Sequence, residues 1–399
     1  MDKSVRISGC KAVAEAVKAA NVDVIASYPI RPYTGTMVEL ARMVAEGELD
    51  AEFVYAEGEH AQLSIVLGAS AAGARVFTGS SGVGVTYAFE TYSPIAGEFH
   101  PVQCMIGNRT LDPPGDFGSE HTEALSARDQ GWIMGWAATP QEAYDNTLIY
   151  YRLGEDPSIM LPQFPCQDGY FVTHIPGPVV LADQARVREF LPAFKPARKL
   201  DPAAPVLMGP QCRPDQGAAI ELARSEVMKR ARVRIPQVVN EFNTVFGRSY
   251  QPFLQGYRLD DAEMVFFGQG AHTMPARLAV DKLRSQGVKA GVVQLRFMRP
   301  FPTDEVTECL SRFKVVGILE NSNSFGSVYD AGPLTAEVHA ALYYAEARPR
   351  ILTFLAGLGG ENIRLNDYIE MTRVMAEAAQ AAGLKKRVFW VGFEPLTIA

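Results

Sequence analysis

The sequence predicts an α/β protein: a doubly wound, mainly parallel sheet followed by a second, smaller α/β domain. Three observations predict it. Apolar runs of strand length alternate with helical periodicity through residues 9–107. Turns rich in glycine or proline separate these runs. The alternation resumes at residue 262, after a proline-rich interval. Strands that alternate with helices need crossovers, which cover both faces of a parallel sheet.

Residues 9–20 read as a helix and "VDVIASY" (22–28) as a strand. After a turn come "TMVELARMVAEG" as a helix, "AEFVYA" as a strand and "EHAQLSIVLGASAAG" as a helix. "ARVFTG" is a strand, "SSGVG" a glycine-rich loop, 85–96 a helix and "PVQCMIG" a strand. Thr36 with Glu39 fits a capping box, and Thr139-Pro140 with Glu142 adds proline at the first helical position. Residues 1–240 are expected as the first domain, with a connecting segment at about 175–215 around "KPARKLDPAAP". The second domain spans 241–399, including a C-terminal extension, with strands in "AEMVFFGQGA", "AGVVQLRF", "VVGILEN" and "RILTFLAGLGG".

At 399 residues, 47% hydrophobic and 21% charged, the chain has the profile of a soluble two-domain protein. A net charge of -7 gives no reason to expect nucleic acid or an acidic membrane as partner. The apolar runs are far shorter than a membrane span, and the first residues lack the pattern of a secretory signal, so a cytoplasmic location is expected. Cys10, Cys104, Cys166, Cys212 and Cys309 are scattered and never in C-x-x-C spacing. Buried free thiols are expected rather than a disulfide framework or a cluster held by this chain alone. Electrons moved by this protein's chemistry would have to leave through another chain.

Ligands bind open α/β sheets outside the carboxyl ends of the strands. Four loops that follow strands therefore matter: 28–35, 57–60, 79–84 and 107–116. The first, "YPIRPYTG", frames Arg31 with prolines that limit the entropy lost on ordering. A guanidinium there can serve as an anion clamp or simply decorate a stiff connector. Glu59 stands at a strand-to-helix junction beside Glu57 and His60, where a carboxylate also complements a helix dipole. "GSSGVG" permits close approach of a ligand without being a dinucleotide fingerprint or a P-loop. Arg109 follows directly on a strand. His100, His121 and the other histidines show no metal-ligand spacing, and packing or surface roles are expected for them.

Taken together, "GCKAVAEA", "YPIRP", "GEHAQLSIVLGASAAGARVFTGSSGVG", "GNRTLDPPGD" and "SARDQGW" resemble the α-subunit of the 2-oxoacid:ferredoxin oxidoreductase family. "GQGAHTMPARLAVDKLRSQGVKAGVVQLRFMRPFP", "ILEN" and "GLGGENI" resemble that family's next domain. The resemblance implies a thiamine diphosphate-binding fold whose first domain holds the aminopyrimidine, with a second domain like the transketolase C-terminal domain. It implies a β-subunit that supplies the diphosphate contacts and Mg²⁺, and γ/δ-type subunits that carry [4Fe-4S] clusters and pass electrons to ferredoxin. No cluster is expected on this chain. By this resemblance Glu59 matches the cofactor-activating glutamate, Ile30 lies against the cofactor, and Arg109 matches the arginine that binds the substrate carboxylate.

Position 31 departs from the family motif, in which threonine follows tyrosine-proline-isoleucine. Arg31 adds a second cation beside Arg109 and suits a substrate with two carboxylates. Leaving a buried guanidinium unpaired costs ~1–3 kcal/mol, which would disfavour a monocarboxylate by about tenfold or more. The smallest dianion with a carbon to attack and CO₂ to lose is oxalate. The expectation is therefore oxalate cleavage to two CO₂ and two electrons without coenzyme A. The alternatives are coenzyme A-dependent oxidation of pyruvate or 2-oxoglutarate, a thiamine enzyme without redox chemistry, and a non-catalytic scaffold subunit.

Overall fold

The structure, a computed structural model, describes residues 2–398. It opens on a strand that the alternation did not predict, β1 (Lys3–Ile7). Helix α1 (Gly9–Ala19) starts on Ser8, whose hydroxyl accepts the Lys11 N–H. Then come β2 (Val24–Ser27), α2 (Thr34–Ala45), β3 (Glu52–Tyr55), α3 (Glu59–Ala71) and β4 (Val76–Ser80). Next are α4 (Val83–Tyr87), α5 (Phe89–Gly97), β5 (Gln103–Asn108), α6 (Thr122–Ser126), β6 (Ile133–Ala137), α7 (Pro140–Gly154) and β7 (Gln163–Asp168). Six of these strands form one parallel sheet in the order β3-β2-β4-β5-β7-β6. Every residue of β4, β5, β6 and β7 is buried, as expected for strands covered by helices on both faces.

Three local expectations change. The helix read over 85–96 is two helices that meet at Ala88. No capping box forms on Thr36, because α2 begins earlier, at Thr34. The Thr36 hydroxyl instead donates to the buried Cys10 carbonyl, and Glu39 pairs with Lys11 and Arg42. At Thr139 the N-cap forms, its hydroxyl accepting the Glu142 N–H at 3.1 Å, while the Glu142 carboxylate reaches one residue further back to the Ala138 N–H at 2.8 Å. The interval 175–215 also holds more than a connector. It contains β8 (Gly177–Leu181), antiparallel to β1, and α8 (Gln184–Phe190). The long α9 (Pro214–Phe246) follows. Its Val227, Ala231, Ile235, Val238 and Phe242 recur at helical spacing and form the face packed toward α7 and α8.

The second unit comprises β9 (Leu254–Tyr257), β10 (Met264–Gly268), α10 (Thr273–Arg284), β11 (Ala290–Leu295), α11 (Thr303–Leu310) and β12 (Val315–Glu320). It continues with α12 (Pro333–Leu342), β13 (Arg350–Leu355), α13 (Leu365–Gln380) and β14 (Val388–Trp390). Its sheet runs β14-β13-β12-β10-β11-β9, with only β9 antiparallel. The edge strand β6 is not left open. Met134 exchanges backbone hydrogen bonds with Met298 and Arg299. Trp136 and Phe164 share one hydrophobic cluster with Val293, Leu295 and Met298, so the two units bury apolar surface against each other. Among the described residues, no helix is long and apolar enough to cross a membrane. Cys10, Cys104 and Cys166 are buried free thiols, Cys309 is half-buried and Cys212 exposed.

One buried ion pair ties the back of the first sheet together. The Arg75 guanidinium donates to both Glu155 oxygens at 2.7 Å and also to the carbonyls of Ala20 and Pro192. Arg75→Ala is expected to lower stability by about 3–5 kcal/mol in urea unfolding, because it leaves the Glu155 charge buried and unpaired. The double variant Arg75→Met, Glu155→Leu should recover most of that loss.

Candidate active site

The four loops picked out by sequence converge at the carboxyl edge of the parallel sheet. After β2 the chain turns inward at Tyr33, which is fully buried. The Tyr33 hydroxyl hydrogen-bonds the Ser27 hydroxyl, and its N–H donates to Ser81 Oγ at 3.2 Å. A side chain at Gly79 would come within 2.3 Å of the Tyr33 ring, so β4 needs glycine there. Gln62 of α3 accepts the Tyr28 N–H at 2.7 Å and donates to the Gly79 carbonyl at 2.8 Å, which staples the ends of β2 and β4. With Pro32 and Tyr33 packed inward, the Arg31 side chain is carried outward. It is exposed in this chain, not buried as the substrate argument from sequence assumed.

Glu59 opens α3 and is buried. Burial pushes its carboxyl above the ordinary range; its own backbone N–H and the Arg109 charge pull partly the other way. The turn between β4 and α4 closes over it. A Cβ on Gly84 would lie 2.2 Å from Glu59 Oε1 and 2.6 Å from Ser80 Oγ. That Ser80 hydroxyl is buried without a hydrogen-bond partner.

Arg109 leaves β5 with its side chain almost fully buried. Its Nη1 donates to the Arg31 carbonyl at 3.2 Å and its Nη2 to Asp112 Oδ2 at 3.1 Å, while Nε has no partner. The guanidinium lies 5.1 Å from the Phe117 ring centroid and presses on Gly82, where a Cβ would meet Nε at 2.7 Å. Behind it stands a residue that the sequence reading passed over. Glu123 of α6 is fully buried and accepts the Arg109 N–H at 2.7 Å and Asn108 Nδ2 at 3.1 Å.

Arg31, Ile30 and Arg109 line one open pocket of about 500 Å³, together with Pro32, Tyr170 and His174. Burial and the Arg31 charge push the His174 imidazole below its usual pKa. Glu59 does not line this pocket; the Gly82–Gly84 turn touches both Glu59 and Arg109 and so connects them. Tyr55, Tyr87, Phe117 and Tyr170 stand exposed on the same edge.

His121 does not face solvent and is not an ordinary packing residue. Its Nε2–H donates to Asp168 Oδ1 at 2.8 Å, and Asp168 Oδ2 accepts the Ala271 N–H of the second unit at 2.7 Å. The adjacent acid and histidine in "SEHTE" (119–123) were the only visible sign of this cluster. Spacing could not assign their partners. Among the described residues, no group of three or more His, Cys, Asp or Glu side chains could hold a metal ion.

Comparison with known proteins bears on the family and the fold. Residues 15–240 match the family "Pyruvate flavodoxin/ferredoxin oxidoreductase, thiamine diP-bdg", and residues 262–368 match "Pyruvate:ferredoxin oxidoreductase core domain II". The pyruvate synthase subunit PorA of Pyrococcus horikoshii is 36% identical over 383 residues, 96% of each chain. The ketoisovalerate oxidoreductase subunit VorA of Pyrococcus abyssi is 33% identical over 385 residues, again 96% of each chain. The fold is shared with the 2-oxoglutarate:ferredoxin oxidoreductase of Magnetococcus marinus, with a TM-score of 0.67 at 17% identity, over 94% of this chain and 65% of that one. A split-gene transketolase gives a TM-score of 0.54 at 12% identity over 94% of this chain and 99% of that one.

The opposing influences on Glu59 can be separated. Infrared difference spectra of the chain against Glu59→Gln should show a protonated carboxyl persisting above the pH at which an ordinary glutamate ionises. Because the Arg109 charge lowers this pKa, Arg109→Gln should move the titration to still higher pH.

Proposed function

The chain belongs to the α-subunit family of thiamine diphosphate-dependent 2-oxoacid:ferredoxin oxidoreductases, and we infer that within it the chain acts on a 2-oxoacid in a coenzyme A-dependent reaction. The observation that carries this reading is the pairing of a buried carboxyl, Glu59, with a buried guanidinium that has one N–H unspent, Arg109. The named relatives act on pyruvate and ketoisovalerate, both monocarboxylates, which one arginine is enough to hold.

The residues present fit the cofactor. Glu59 accepts no hydrogen bond from any other residue among those described, and the Ser80 hydroxyl beside it is unpartnered. A carboxyl kept out of water at this edge can donate to, or accept from, a ring nitrogen of thiamine diphosphate, with Ile30 offering an apolar contact. When bound, thiamine diphosphate supplies the carbon nucleophile and takes up the electron pair left by decarboxylation. Glu59 would hold or release the proton at that nitrogen. Arg109 would orient the substrate carboxylate and stabilise its charge in a site where partial burial strengthens the attraction. The exposed Tyr55, Tyr87, Phe117 and Tyr170 support a site completed by a partner chain, here a β-subunit that provides the diphosphate and Mg²⁺ contacts. Clusters on further subunits, with ferredoxin as acceptor, complete the reaction.

Arg31 refines the substrate class. It lines the pocket beside Arg109 and makes no ion pair or side-chain hydrogen bond among the described residues, so it favours an acid with a second carboxylate, as in 2-oxoglutarate. Oxalate is the second reading and rests on Arg31 alone.

Methyl viologen reduction by the purified complex decides among these. Coenzyme A-dependent turnover of a 2-oxoacid is expected; coenzyme A-independent turnover of oxalate alone would establish the second reading. Arg31→Thr should raise KM for a dicarboxylate by about tenfold, equivalent to ~1.4 kcal/mol, and leave pyruvate unchanged. Equal effects on both substrates would remove Arg31 from substrate selection. Glu59→Gln should lower kcat by roughly 10²–10⁴ while the complex stays assembled.

A further inference from the structure

Glu123 has no part in the chemistry described above, and its surroundings are unusual for a carboxyl group. It lies on the short α6, fully buried. One oxygen carries two hydrogen bonds, from the Arg109 N–H at 2.7 Å and from Asn108 Nδ2 at 3.1 Å. The other oxygen is buried with no partner. Asn108 passes the contact on, since its Oδ1 accepts Trp136 Nε1–H at 2.9 Å from β6. No salt bridge reaches Glu123 from the Arg109 guanidinium, which points away toward Arg31 and Asp112. The carboxyl therefore grips the main chain of Arg109 and not its charged end, which is held by the Arg31 carbonyl and Asp112.

We propose that Glu123 is a positioning residue for substrate binding: it fixes the exit of the chain from β5 so that the Arg109 guanidinium reaches the pocket, where the Arg31 carbonyl and Asp112 orient it and one N–H stays unspent. This rests on the reading of Arg109 as the substrate-carboxylate arginine. A neutral acid can hold the Arg109 N–H and Asn108 on one oxygen, whereas an ionised one would leave an uncompensated charge on the unpartnered oxygen and disturb that grip. Burial raises the Glu123 pKa to about 8, against the pull of the Arg109 N–H and Asn108. The ionisable groups facing it are Tyr92 of α5 and Cys166 of β7, both kept neutral by burial, while the Arg109 guanidinium is turned toward Asp112. Neither Tyr92 nor Cys166 is a cation that would hold the carboxylate charged. Burial thus favours the neutral acid at neutral pH, and ionisation at higher pH would put an uncompensated charge beside the exit of β5.

The test compares Glu123→Ala, Glu123→Gln and Arg109→Gln in the assembled complex, with KM, kcat and thiamine diphosphate affinity measured from about pH 6.5 to about 9.5, wide enough to span one titration. Glu123→Ala should raise KM for the 2-oxoacid about tenfold, with kcat and cofactor affinity within about twofold of wild type. Glu123→Gln keeps the acceptor oxygen but cannot ionise, so its KM should match wild type at neutral pH and stay flat where the wild-type KM rises. Should Glu123→Ala fail to assemble, the Gln variant still decides. A KM that rises with pH identically in wild type and Glu123→Gln overturns the proposal, as does an unchanged KM in Glu123→Ala. If Arg109→Gln leaves KM unchanged, the reading of Arg109 fails and the proposal with it. If Arg109→Gln raises KM but the Glu123 variants behave as wild type, only the positioning role is lost.

Discussion

The structure turns on Asp168, a carboxylate sealed at the end of β7 where both units meet. It is fully buried, and burial alone would raise its pKa; His121 and the Ala271 N–H more than offset this and hold it low. Its side chain accepts from His121 of one unit and Ala271 of the other, and its carbonyl accepts the N–H groups of Val172 and Thr173. Gly270 lies so close that a Cβ there would meet Oδ2 at 2.3 Å. A buried charge is tolerable only when its lone pairs are satisfied, so this geometry admits little drift. The loop with Tyr170 and His174 and the start of α6 are thereby set relative to the second sheet.

From that fixed corner the site follows by short steps. His121 immediately precedes α6, α6 carries Glu123, and Glu123 holds the exit of β5. Across the edge, Gln62 and Tyr33 fasten the exits of β2 and β4 through hydrogen bonds to backbone and serine. Glycines at 79, 82 and 84 are what allow side chains from neighbouring loops to approach so closely. The result places one carboxyl and one guanidinium on either side of the Gly82–Gly84 turn, with opposite problems. Glu59 is pushed toward neutrality by burial, whereas Arg109 keeps its charge and loses only part of its hydrogen bonding.

Much of this was legible in the sequence, and the limits have physical causes. The alternation from 9 to 107 located β2 through β5 because parallel strands buried on both faces read as continuous apolar runs. The rule that loops after such strands build sites then brought Arg31, Glu59 and Arg109 to one edge. Pairing was not legible: β1 and β8 are short, half-buried and separated by most of a domain, so no local pattern links them. The capping signal at Thr36 misled because its hydroxyl found a better partner in the Cys10 carbonyl across the α1–α2 packing. Glu123 was passed over and His121 was expected in a packing or surface role because what they do depends on contacts with β5, β7 and the second unit. The exposure of Arg31 was hidden for a related reason: motif position identifies the loop but not the direction in which a side chain leaves it.

That direction has an evolutionary meaning. Everything that gives the loop 28–33 its shape belongs to its neighbours: the Tyr33 ring, the Tyr33 N–H, the Tyr28 N–H and the Pro32 ring. The Arg31 side chain supports nothing. A single codon change at this position can therefore alter the charge lining the pocket without a folding penalty to be compensated elsewhere. Natural selection can vary this position one letter at a time, while the buried Glu59 and the hydrogen bonds that shape the loop stay untouched.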